Sequence, residues 1–94
     1  MANLRNLKKD IEYLISEVLS DCYTVAYLYP DKKETAMEII GDAVVFRNKI
    51  FERTNKPDGK NDKKLVKVHY KSINKDLLTG VDEFFKRISE LTKK

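Results

Sequence analysis

Eight apolar residues, Leu4, Leu7, Ile11, Leu14, Val18, Cys22, Val25 and Tyr29, follow one another at steps of three or four with no proline or glycine among them. Such spacing is one stripe of an α-helix. It predicts a helix from about Asn3 to about Tyr29, ended by Pro30, because the residue before a proline resists helical backbone. A helix of that length with one apolar stripe cannot cover the stripe by itself. It needs further helices, and the rest of the chain supplies them.

After Pro30, Asp31 is placed to cap a second helix, with Glu34 three residues on in the manner of a capping box. Its apolar stripe, Ala36, Ile39, Ile40, Ala43, Val44, Phe46, Ile50 and Phe51, is wide enough to touch two neighbours. "NKPDGKND", residues 55–62, reads as a loop: Pro57 presets a turn and Gly59 closes it. An EF-hand register on Asp58–Gly59 would place Thr54, Lys56 and Leu65 where calcium needs oxygen ligands, so this is a turn and not a cage. A third helix begins at Asn61 or Asp62 and carries Leu65, Val66, His69, Tyr70, Ile73 and Leu77 inward. Thr79 with Asp82 resembles another capping box, and Gly80 costs a helix interior about 1 kcal/mol. A kink or a new start is expected there, before Val81, Phe84, Phe85, Ile88 and Leu91. The fold class is therefore all-α. It is expected to be one domain, residues 1–94: an antiparallel bundle of three long helices, the third kinked or split near Thr79–Gly80, giving three to four helices.

The chain carries 36% charged residues, above the usual quarter. Residues 1–53 hold 8 basic and 9 acidic groups, residues 54–75 hold seven lysines against two aspartates, and residues 76–94 balance. The net charge of +4 thus belongs to one segment. A single cysteine, Cys22, excludes an intrachain disulfide and a cysteine-built metal site. No apolar run reaches membrane-spanning length. "MANLRNLKKDIEYL" lacks the continuous apolar segment of a signal peptide, so the expected compartment is the cytoplasm.

The stretches "LKKDIEYLISEVLSDCY", "NKPDG" and "LVKVHYKSINKDLLTGVDEFF" resemble a small family of bacterial proteins of about this length. The resemblance covers most of the chain. It implies an all-helical fold and no assigned activity.

Function must be sought on faces the core does not use. At about 100° per residue, Tyr23 and Tyr27 lie ~100° and ~140° from Leu4, and Tyr13 lies nearly opposite it. Tyrosine joins a large apolar area to a polar tip, which suits an interface. Tyr13, Tyr23 and Tyr27 are the expected interface residues of a homodimer. Arg47 falls in the apolar arc of the second helix and, if buried, needs a partner there; Asp21 or Asp76 is the expected one. Lys63, Lys64, Lys67, Lys71 and Lys75 form a ridge on the third helix. It could meet an acidic protein or, in the runner-up reading, the phosphates of a nucleic acid. His69 reads as a boundary residue with one hydrogen bond, and Cys22 as inert packing.

Glu17 with Asp21, and Glu34, Glu38 and Asp42, give the third reading, a metal-dependent nucleotide phosphohydrolase. Their four-residue spacing and outward lean favour a solvated acidic face. No catalytic residue, metal ligand, cofactor, small-molecule substrate or membrane contact is assigned. The expectation is a protein that acts by binding protein, itself first, and not an enzyme.

Overall fold

A computed structural model describes residues 4–55 and 62–93, with side chains from Asn6 onward. Helix α1 spans Leu4–Leu28, a 3-10 turn Pro30–Lys32, α2 Lys33–Asn55 and α3 Lys63–Thr92. No strand occurs among the described residues. The described residues form an all-α bundle of three helices.

Pro30 ends α1 as its chemistry requires. The last helical bond runs from the Tyr29 N–H to the Val25 carbonyl at 2.8 Å, and Tyr29 then leaves the helical region at φ −127°, ψ 79°. The chain turns through Pro30–Lys32 and enters α2 at once. Asp31 sits inside that turn and makes no capping bond among the described residues. The expected capping box is therefore absent: the turn itself joins the helices, with the Lys33 N–H bonded to the Pro30 carbonyl. Asp62 does cap α3, its carboxylate accepting from the N–H groups of Lys64 at 2.9 Å and Leu65 at 3.4 Å. The turn expected around Pro57–Gly59 lies outside the described residues.

The core joins all three helices. Ile11, Ile15, Val18 and Cys22 from α1 meet Ala36, Ile39, Ala43 and Ile50 from α2, and Ile73, Leu77 and Val81 from α3. Each large aliphatic side chain buried here contributes about 1.5–3 kcal/mol. On α1 and α2 the buried arcs depart from the expected stripes at several positions, Ile15 and Val44 among them. Ile15 is fully buried while Leu14 is only partly so, because α1 faces two neighbours and its buried arc widens accordingly. Val44, expected inside, is exposed, at the edge of the α2 arc.

α3 runs unbroken through Thr79 and Gly80, so the helix is not split. The Thr79 hydroxyl donates to the Lys75 carbonyl at 3.0 Å instead of capping a new helix, and Asp82 pairs with Lys86. Gly80 has a packing role. A Cβ placed there would lie 2.3 Å from the Cζ of Phe46, whose ring stacks edge-on to Phe84 at 5.6 Å. The glycine is the notch that lets α2 approach α3.

α2 runs antiparallel to both neighbours. Arg87 pairs with Asp42 at 2.9 Å and Arg53 with Asp76 at 2.8 Å, so ascending α2 meets descending α3. Arg47 of α2 reaches back to Glu12 of α1. α1 and α3 are therefore parallel. The molecule is a rod of 51 × 19 × 16 Å, with a radius of gyration of 15.4 Å. A compact chain of this length would have roughly 12 Å.

Candidate interaction surface

The outer face of α1 carries the chain's most unusual surface. Turning away from the buried arc of Ile11, Val18 and Cys22, the helix presents Tyr13, Ser16, Ser20, Tyr23, Thr24 and Tyr27. None is charged. Tyr13 is 66% exposed, Tyr23 57% and Tyr27 84%. Ser16, Ser20 and Thr24, four apart, form the floor of a shallow groove walled by Leu19, Tyr23 and Tyr27. Side chains in rows spaced by four form ridges, and a row of small ones leaves a groove that a ridge of a second helix can enter. The Ser16 hydroxyl donates to the Tyr13 carbonyl at 2.8 Å and the Thr24 hydroxyl to the Ser20 carbonyl at 3.0 Å. With those hydrogens turned inward, the floor is less polar than its composition. Tyr29, counted in the inward stripe, is exposed because Pro30 ends the helix before it.

The flanks of this face are acidic. From Asp10 to Tyr29 the chain holds Asp10, Glu12, Glu17 and Asp21 and no basic residue. Glu12 is engaged by Arg47, whose Nε donates to it at 2.9 Å. Glu17 and Asp21 are exposed and enter no ion pair among the described residues.

The expected partner of Arg47 is corrected here. Arg47 binds Glu12, not Asp21 or Asp76, and at 34% exposure it is half-buried at the α1–α2 seam. Its guanidinium lies 4.7 Å over the Phe51 ring. The long side chain carries its charge to the rim while its stem covers apolar surface. Asp76 pairs instead with Arg53.

The five ridge lysines, Lys63, Lys64, Lys67, Lys71 and Lys75, are all exposed, and none enters an ion pair among the described residues. No residue of α3 before Ile73 is buried. Leu65, expected inward, is 53% exposed, and Val68 is 63% exposed. Both line a groove between the ends of α2 and α3, with Lys49, Glu52, Arg53 and Ser72. The stripe expected on α3 fails in these first turns because the buried core begins only at Ile73. Sequence reading missed this groove; the signal was Val68, an apolar residue standing among lysines.

His69 sits at the same end. Its Nε2 donates to the Arg53 carbonyl at 2.8 Å, closing one of the free carbonyls of the last turn of α2. This is the single hydrogen bond expected of a boundary histidine. Cys22 is wholly buried, and burial pushes its thiol pKa up, with the charge of Asp21 adding to the effect. A thiol so placed is packing, not a nucleophile.

Among the described residues no three His, Cys, Asp or Glu side chains gather as a metal would require. Asp42, one of the acids on which the phosphohydrolase reading rests, is held by Arg87. No helix of the described residues is long and apolar enough to cross a membrane. No family model, curated protein or solved structure matches the chain.

Proposed function

We propose that the protein acts by binding protein through the outer face of α1, and that its first partner is a second copy of itself, in the cytoplasm. One observation carries the reading: a helix face opposite the core, in a chain that is 36% charged, holds three exposed tyrosines and no charge between Lys9 and Pro30. Water hydrates the phenol tips but gains nothing from the exposed apolar rings. A protein surface gives large aromatic side chains a place to bury, and tyrosine is among the residues that interfaces enrich. A two-fold contact is self-complementary, so one patch serves both subunits.

Mass in solution tests this. Sedimentation equilibrium is expected to return a dimer for the natural chain and a monomer for Tyr23→Ala with Tyr27→Ala, both keeping full helicity by circular dichroism. A monomer at high micromolar concentration for the natural chain would refute the proposal.

A further inference from the structure

We infer that the surface a second copy brings to the tyrosine face is the start of its own α3, residues 63–72, so that two copies pair antiparallel and exchange this contact twice. The inference rests on the reading of α1 as the docking face and adds what docks there.

Charge is the first observation. Residues 63–72 contain Lys63, Lys64, Lys67 and Lys71 and no acid, while α1 from Asp10 onward contains acids and no base. None of those lysines, and neither Glu17 nor Asp21, has an ionic partner within its own chain among the described residues. Two sets of opposite, unspent charge stand on one molecule too far apart to meet.

Shape is the second. Val68 stands exposed on α3 between Lys64, four residues before it, and Lys71, three after. Leu28 and Tyr13 stand exposed on the side of α1 that carries Glu17 and Asp21. Each patch is an apolar centre with charge at its edge, and the two edges are opposite in sign. Face-to-face packing of two antiparallel α1 helices about an axis between Glu17 and Asp21 would set each acid against the partner's other acid, and like charges across an interface are costly.

Position is the third. Because α1 and α3 are parallel, the lysine patch at the start of α3 lies at the opposite end of the rod from Tyr23 and Tyr27, near the end of α1. A two-fold axis across the 51 Å rod reverses the second copy. Each lysine patch then meets the Glu17–Asp21 flank of the partner's α1, and the contact is made twice with the same residues.

Charge reversal tests the pairing. Lys67→Glu with Lys71→Glu makes one variant, and Glu17→Lys with Asp21→Lys makes the other; all four positions are exposed, so both chains should fold. Alone, each sets like charges together in both contacts, and its dimer dissociation constant is expected to rise by roughly tenfold or more. Mixed in equal amounts, the two restore opposite charges in both contacts, and a heterodimer of near-natural affinity is expected. A mixture no tighter than the separate variants, or variants that dimerise like the natural chain, overturns the inference. If Tyr23→Ala with Tyr27→Ala still breaks the dimer in that case, α1 remains the docking face and only its partner surface is wrong. A natural chain that is monomeric overturns both. Fluorescence anisotropy with labelled oligonucleotides supplies the remaining arm. Binding tighter than about micromolar at 150 mM salt, lost in Lys67→Glu with Lys71→Glu, would assign the patch to a polyanion, because purely non-specific contacts reach only about 10⁻⁴–10⁻⁶ M.

Discussion

Replacing Gly80 by Ala should destabilise the protein, although the change improves helix propensity. In an exposed helix interior, glycine to alanine gains about 1 kcal/mol. At position 80 the new methyl would lie 2.3, 2.6 and 3.0 Å from three ring atoms of Phe46. That ring is partly buried and set edge-on against Phe84 at 5.6 Å, so relief requires moving an aromatic pair. Overpacking of this kind costs about 1–3 kcal/mol, and three close contacts on one ring place it in the upper part of that range. Less the propensity gain, the net loss is about 1–2 kcal/mol. At roughly 4–8 °C per kcal/mol for a domain of this size, the thermal midpoint should fall by roughly 4–16 °C. Thermal and urea unfolding followed by circular dichroism measure this. The control is the same change in a Phe46→Leu background, where the methyl finds room and Gly80→Ala should become stabilising. A higher midpoint for Gly80→Ala in the natural background would mean that Gly80 faces open space and that the notch between α2 and α3 is misplaced.

Three further outcomes follow from the contacts. Arg47→Ala should cost about 1–2 kcal/mol, from a partly exposed ion pair and the contact with Phe51, and not the 3–5 kcal/mol of a broken buried pair; a double-mutant cycle with Glu12→Ala separates the two contributions. His69→Phe should cost about 0.5–1.5 kcal/mol in urea unfolding through loss of its bond to the Arg53 carbonyl, and hydrogen exchange should speed up in the last turn of α2. Cys22 holds its proton more tightly folded than unfolded, so its contribution is fully present below the ordinary thiol value and falls as pH rises past it. Cys22→Ala should remove that alkaline dependence, and in the natural chain thiol reagents should react only through opened molecules, in proportion to their population.

The helices were legible because each is written in local terms: a stripe at steps of three and four, a proline that stops α1, an aspartate that caps α3. The outward tyrosines were legible for the same reason, since the direction of a side chain on a helix follows from its number. What failed depended on neighbours. Gly80 read as a break because propensity belongs to one helix, whereas the Phe46 ring that needs the gap lies on another. Arg47 read as buried because an arc shows direction without depth; its side chain is long enough to carry the charge to Glu12 at the rim. Leu65 continued the α3 stripe by spacing, yet the core begins only at Ile73, and no periodicity reveals where a neighbouring helix ends. The groove beside Leu65 and Val68 was hidden for that reason, although it lies among lysines that the sequence displays plainly.

The central claim, that the outer face of α1 is where a second copy binds, is tested most directly by amide chemical shifts followed on dilution from millimolar to low micromolar concentration. A chain of 11.0 kDa gives resolved spectra residue by residue. The account predicts concentration-dependent shifts at Ser16, Ser20, Tyr23, Thr24 and Tyr27, joined by residues 63–72 of α3, with the core amides unmoved. Spectra that do not change with concentration, or shifts confined to other faces of the bundle, would contradict it.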